Sequence, residues 1–262
     1  MFYVLFCYLV IDKYTPLKKV LSILLVILST SAGIIFLGCS ASSSYKSPIT
    51  IEKKTGASGL SDYIIIYKNS AKIDFEITRP DITDTSILYC GAGAFTTLDK
   101  LDIDGLYICK GKTGNRHRIN HYLGGGIEMI NGECTILPTA KGKLITDSLV
   151  SYIENKKGSF FQQIEMIDSG KCAKYRDSTF FRRRGVVIFK NGKTAIAEST
   201  SPILLKTFTE DLAAMGAKEL IYTDMGAWDE GWYRNPRSGE VVPLGYDHSQ
   251  TSKQSNWVVF RR

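Results

Sequence analysis

The residues best suited to chemistry crowd into 220–234, Leu-Ile-Tyr-Thr-Asp-Met-Gly-Ala-Trp-Asp-Glu-Gly-Trp-Tyr-Arg. A β-prone run (Leu220, Ile221, Tyr222, Thr223) stops at Asp224, and Gly226 follows two residues later. A strand that ends on a carboxylate beside a glycine delivers that carboxylate to the edge of a sheet, within reach of a ligand. Such a carboxylate can stabilise a developing cation, attack it, or activate water. Asp229 and Glu198 are candidates for a second carboxylate. The triplet Arg182-Arg183-Arg184 opens another strand, on which Arg183 points opposite to its neighbours. A guanidinium fork suits a pair of phosphate oxygens, and a basic edge strand is the plain alternative. Arg234 is a further candidate anion ligand or a surface ion-pair partner. Trp228, Trp232 and Tyr233 would stack on a sugar ring or pack beneath a loop.

Other chemistries find little support. No Gly-x-Ser-x-Gly elbow, HExxH or CxxC is present, and His117, His121 and His248 have no partner at a telling spacing. Gly91-Ala92-Gly93 is not followed by a helical pattern, which argues against a dinucleotide or phosphate loop. The sequence specifies no cofactor. A divalent cation recruited by Asp224, Asp229 and Glu230 stays open.

The elements that must position these residues alternate strands and hairpins with few helices. Strands are expected at 63–67, 72–78, 87–90, 106–109, 160–167, 220–223 and 256–260. Hairpins are expected around Asn131-Gly132 and Asn191-Gly192. A helix is expected over 147–154. A second is expected to be capped by Ser201 with Pro202 at its first position, to carry Leu204, Phe208, Leu212 and Met215 on one face, and to end at Gly216. The pattern indicates an α+β fold, a mixed and mostly antiparallel sheet with a few packed helices.

Lys18 and Lys19 precede an apolar run from Val20 to Phe36, closed by Leu37-Gly38-Cys39 and a serine-rich stretch. This reads as a secretory signal over 1–38. Cys39 after a small residue resembles a bacterial lipoprotein cleavage box, which implies cleavage before Cys39 and acylation of its thiol. An uncleaved membrane anchor is the alternative. Both readings place the remainder in the cell envelope, on the periplasmic or surface side and attached to a membrane. Loss of 1–38 leaves 224 residues and, because three lysines and one aspartate go, a net charge of about +5. That charge is spread along the chain without a basic tail, so nucleic acid is not an expected partner. Residues 39–59 read as a polar tether and 60–262 as the domain. Cys90, Cys109, Cys134 and Cys172 allow three disulfide pairings, and buried free thiols are equally compatible with the apolar surroundings of Cys90 and Cys109.

With Phe181-Arg182-Arg183-Arg184-Gly185 ahead of a hairpin and a helix, and Tyr222-Thr223-Asp224-Met225-Gly226 after them, the C-terminal half resembles the phosphodiester glycosidase domain family. The Asn191-Gly192 hairpin and the helix ending in Met215-Gly216 complete the family's order: arginine, hairpin, helix, then a strand into Leu-Asp-Gly-Gly. Gly91-Ala92-Gly93-Ala94-Phe95 is similar to its Asn-Gly-Gly-Tyr-Phe loop, and 255–260 is similar to its closing strand. One glycine of Leu-Asp-Gly-Gly is replaced by Met225, the first loop lacks its Asn and Tyr, and Trp228 and Asp229 replace the usual serines. The resemblance implies hydrolysis of a sugar–phosphodiester linkage, with a phosphorylated glycan or glycosyl phosphodiester as partner. It places Asp224 at the anomeric centre, Arg183 on the phosphate, and Thr223, Gly226, Phe95 and Asn256 around the ligand. A catalytically silent glycan-binding or scaffold protein is the alternative. A nuclease-like phosphodiesterase lacks the expected carboxylate cluster.

Overall fold

The computed structural model describes residues 47–115, 118–225, 231–245 and 247–262. In chain order the strands are β1 (Ile49–Thr55), β2 (Asp62–Lys68), β3 (Lys72–Glu76), β4 (Ile87–Ala92), β5 (Tyr107–Cys109) and β6 (Lys112–Thr113). A hairpin, β7 (Gly125–Ile130) and β8 (Glu133–Pro138), leads into helix α1 (Asp147–Asn155). Then come β9 (Ser159–Gln163), β10 (Glu165–Asp168), β11 (Lys171–Cys172), β12 (Arg184–Phe189) and β13 (Thr194–Ser199). Helix α2 (Leu205–Ala214) precedes β14 (Ala217–Tyr222), β15 (Gly231–Arg234), β16 (Val241–Leu244) and β17 (Trp257–Arg261).

The strands form three sheets. The first has the order β1-β2-β13-β12-β14-β10-β11, the second β16-β15-β4-β17-β3, and the third β6-β5-β9-β7-β8. Each described pairing is antiparallel. With two helices packed against them, this is the α+β class expected from the sequence.

One apolar core lies between the sheets, with Ile66, Val186, Ile196 and Ile221 from the first, Phe75, Tyr89, Val258 and Phe260 from the second, and Ile127 and Phe161 from the third. The other face of the first sheet packs Tyr63, Ile65, Val187 and Leu220 against Phe208 and Leu212 of α2. Burial on both faces explains the unbroken Ile64-Ile65-Ile66 run in β2. Each such aliphatic or aromatic side chain contributes about 1.5–3 kcal/mol.

Local signals act where expected in several places. Asn131 and Gly132 take φ of 55° and 81°, the left-handed pair that a tight hairpin turn requires. The helix expected over 147–154 is α1, and Thr146, which the sequence did not single out, caps it by accepting from Leu149 N. Gly216 follows α2 at φ 93°, a conformation that glycine adopts without strain.

Three expectations need correction. The helix expected from Ser201 starts at Leu205 without a side-chain cap. Ile203 instead bridges to Phe181, and Ser201 N donates to Ser61 Oγ, so tertiary contacts keep 201–203 extended. The single strand expected over 160–167 is divided at Ile164, with β9 in the third sheet and β10 in the first. Gln163 Oε1 accepts from Ile164 N at 2.9 Å at this break. Finally, 49–55, inside the expected tether, is strand β1, paired with β2 along its length. Its apolar side chains are few because it lies at a sheet edge. Lys46–Arg262 forms one compact unit.

Candidate functional site

The apolar strand β14 runs between β12 and β10 and ends at Tyr222. The two residues beyond it are held by backbone bonds: Thr223 N donates to Arg184 O at 3.1 Å and Asp224 N to Gly93 O at 2.8 Å. Asp224 is only 5% exposed. Its Oδ2 accepts from Thr96 N at 3.2 Å. The Thr223 hydroxyl is buried and has no hydrogen-bond partner among the described residues.

The loop that Asp224 touches, Gly93 to Thr96, is gripped from its other side by the residue before β17. Asn256 accepts from Ala94 N at 2.7 Å and donates to Ala94 O at 3.0 Å. Ser255 and Thr96 share a hydroxyl–hydroxyl bond of 2.9 Å. Gly93 is required here, because a Cβ would lie 2.8 Å from Asn256 Oδ1. Asp224 and Asn256, far apart in sequence, thus meet across one short loop. Phe95 leaves that loop to pack on Tyr222, with ring centroids 6.0 Å apart.

The three arginines take three different roles. Arg182 Nη1 donates to Gly245 O at 2.8 Å. Arg184, fully buried, binds Glu198 Oε2 through Nε at 2.6 Å, and Glu198 Oε1 accepts from Gly245 N at 2.7 Å. Two cross-strand partners, Gly91 of β4 and Gly231 of β15, leave the slot for this guanidinium. A Cβ on Gly231 would lie 2.8 Å from Arg184 Nη2, and one on Gly91 would lie 3.2 Å from Nη1. Arg183 points to the opposite face, as strand alternation requires. It is 5% exposed and donates to Asp177 Oδ2 at 2.7 Å, Tyr222 Oη at 3.2 Å, and the carbonyls of Thr179 and Ile203.

Electrostatics follow from this burial. Tyr222 is pushed up to about 12, first by burial, with Arg183 pulling it back. Burial alone would raise Asp177, but bonds from Thr179 and the Arg183 guanidinium hold it below the usual carboxylate range.

Several expected roles change with the geometry. Glu198, a candidate second carboxylate, has both oxygens bonded, to Arg184 and to Gly245, and is 2% exposed. It positions Arg184 and the turn after β16. Arg234, expected to meet an anion, instead donates to the carbonyls of Ile82, Asp84, Ile87 and Gly239 and clamps a loop. Trp232 is core, packed with Ile87, Cys90, Trp257 and Val259. Gly226, Trp228, Asp229 and Glu230 lie outside the described residues, as do Cys39 and His117. Among the described residues no group of three His, Cys, Asp or Glu side chains converges to hold a metal ion. Among the described residues no two cysteines form a disulfide. Tyr222, Asp177 and Gly231 escaped the sequence reading. Only Asp177-Ser178-Thr179 carried a local signal, an Asx turn in which Thr179 N donates to Asp177 Oδ1 at 2.9 Å.

The described geometry defines an α+β protein with a carboxylate and a loop-gripping amide at the ends of two central strands. No protein-family model and no curated protein matches the chain. Among solved structures it is similar to the catalytic domain of zebrafish N-acetylglucosamine-1-phosphodiester alpha-N-acetylglucosaminidase, in a form auto-inhibited by its pro-peptide. That match has 12% identity and a TM-score of 0.56, and it covers 85% of this chain and 87% of that one. It is also similar to a hypothetical protein from Synechocystis, at 11% identity and a TM-score of 0.52, covering 84% of this chain and 63% of that one. At these identities the likeness is one of fold.

Proposed function

We propose that this protein hydrolyses a sugar–phosphodiester linkage in a glycan of the cell envelope or its surroundings. The observation that carries the reading is the meeting of Asp224 with the Asn256-gripped Gly93–Thr96 loop, between strand ends of the first and second sheets. The fold neighbour that acts on a glycosyl phosphodiester supports it at the level of architecture.

In this reading Asp224 acts at the anomeric carbon, where bond breaking creates an oxocarbenium-like charge that a carboxylate stabilises or captures. Arg183 holds the phosphate. Its fork is taken by Asp177, Tyr222 and the carbonyls of Thr179 and Ile203, so in this reading the phosphate displaces the Asp177 carboxylate. Arg184, locked on Glu198, forms a neutral buried pair and holds the strand ends in place without meeting the ligand. The same proposal places the protein at a membrane through acylated Cys39. Among the described residues no helix is long and apolar enough to cross a membrane.

A silent glycan-binding role is the second reading. The commitment of Glu198 and Arg234 to internal partners favours it, because it leaves Asp224 as the one expected carboxylate described at the loop. Turnover of a panel of glycosyl phosphodiesters, with and without a chelator, separates the two. Wild type is expected to release free sugar. Asp224→Asn, which keeps an oxygen for Thr96 N, is expected to lose at least a hundredfold in kcat with an unchanged circular dichroism spectrum. Saturable binding without release by the folded wild type would establish the second reading.

A further inference from the structure

At the opposite end of β17 from Asn256 lies a second feature, a groove of about 500 Å³ lined by Lys72, Lys156, Lys157, Arg261 and Arg262, with Asp74 as its acidic residue. The β7–β8 turn forms one wall. Ile73 N donates to Gly132 O at 3.0 Å, and Gly132 packs on the Lys72 stem. Arg261 is neutralised by Glu76 and Asp84, each at 3.1 Å. Lys72, Lys156, Lys157 and Arg262 are exposed and have no ion-pair partner among the described residues. Four unpaired cations around one concavity are held together against their own repulsion, which an anionic partner relieves.

The chain itself indicates which partner. Pro48 O accepts from Asn69 N at 3.0 Å and from Ala71 N at 3.2 Å, so the start of the domain is fixed beside Lys72. Ser47 also shares a groove with the exposed Arg237. Cys39 lies eight residues before Ser47, a span of about 28 Å at most. We infer that this basic groove docks on anionic lipid head groups, turning the end that carries the groove toward the membrane and the Asp224 end toward the outside. From Asn256 to Arg261 the strand rises about 17 Å, which sets a minimum separation between the two ends. The orientation rests on the membrane placement proposed above; the charge complementarity does not. Each Lys or Arg near an anionic leaflet adds attraction that salt screens.

The test uses the full chain with vesicles of phosphatidylcholine alone or with phosphatidylglycerol. Hydrogen–deuterium exchange is read at 129–134 and 154–159, and at 93–96 for the far end. Exchange at the first two segments is expected to slow at least threefold on the anionic vesicles only, to recover in 0.5 M salt, and to stay unchanged at 93–96. The variant K72E/K156E/K157E/R262E, and the milder K156Q/K157Q should the first not fold, are expected to lose that protection. Equal protection on both vesicle types overturns the inference. So does insensitivity to these substitutions, and so does tight binding of soluble polyphosphate without preference for anionic vesicles. Flotation that survives alkaline carbonate reports the lipid anchor, whereas salt-reversible flotation on anionic vesicles reports the groove, so the two readings fail separately.

Discussion

Arg184 and Glu198 are the most exacting residues in the molecule. Both are buried, and each satisfies the other's charge at 2.6 Å. Arg184→Leu strands a carboxylate in the interior and is expected to cost about 3–5 kcal/mol by urea denaturation. The double variant with Glu198→Leu removes both charges and is expected to lose less, although Gly245 N then forfeits its acceptor. Glu165 carries a different liability. Its Oε1 is buried without a hydrogen-bond partner among the described residues, and burial, with Asp168 and Glu219 nearby, pushes its carboxyl up to about 7. An unfolded chain releases that proton near pH 4.5, the folded one near 7, so the unfolded state binds fewer protons between those values. Stability is therefore expected to fall as pH rises from about 4.5 to 7 and to level off above. Thermal unfolding at pH 5 and pH 8 checks this, and Glu165→Gln is expected to flatten the difference. An unchanged slope in that variant would assign the titration elsewhere.

At the level of elements, the loop from Gly93 to Thr96 depends on two grips that reach it from far along the chain. Asn256→Ala removes both bonds to Ala94 and leaves the loop to Asp224, the Ser255–Thr96 hydroxyl bond and the bond from Asp104 N to Phe95 O. A loss of about 1–3 kcal/mol is expected, with faster amide exchange at Ala94 and Thr96. No local pattern in the sequence reveals such a grip. Asp224 was legible because a β-prone run stops on it, and Asn256 through the likeness of the last strand to a known family. The Asn-Gly turn, the helix over 147–154 and the Gly216 stop were legible because their chemistry is local. The start of α2 and the break at Ile164 were not, because bridges to Phe181 and the change of sheet decide them. The slot for Arg184 was invisible for the same reason: Gly91 and Gly231 lie 140 residues apart and become neighbours only when β4 and β15 pair.

For the whole molecule, β1 marks where the domain begins. Its seven residues pair with β2 in full register, although the sequence read them as tether. A chain shortened to begin at residue 60 would leave β2, buried on both faces, as an open edge of the first sheet. Such an edge recruits other chains. Size-exclusion chromatography is expected to show the shortened protein aggregated and one starting at residue 47 monodisperse; a well-behaved shortened protein would show β1 to be dispensable. The closing strand carries a consequence for biosynthesis. β17 sits between β4 and β3 inside its sheet, although it follows every other described strand. Until it is made, its two neighbours have no partner between them, and the central core lacks Val258 and Phe260. Completion of the second sheet therefore waits on β17, however early the other strands are made.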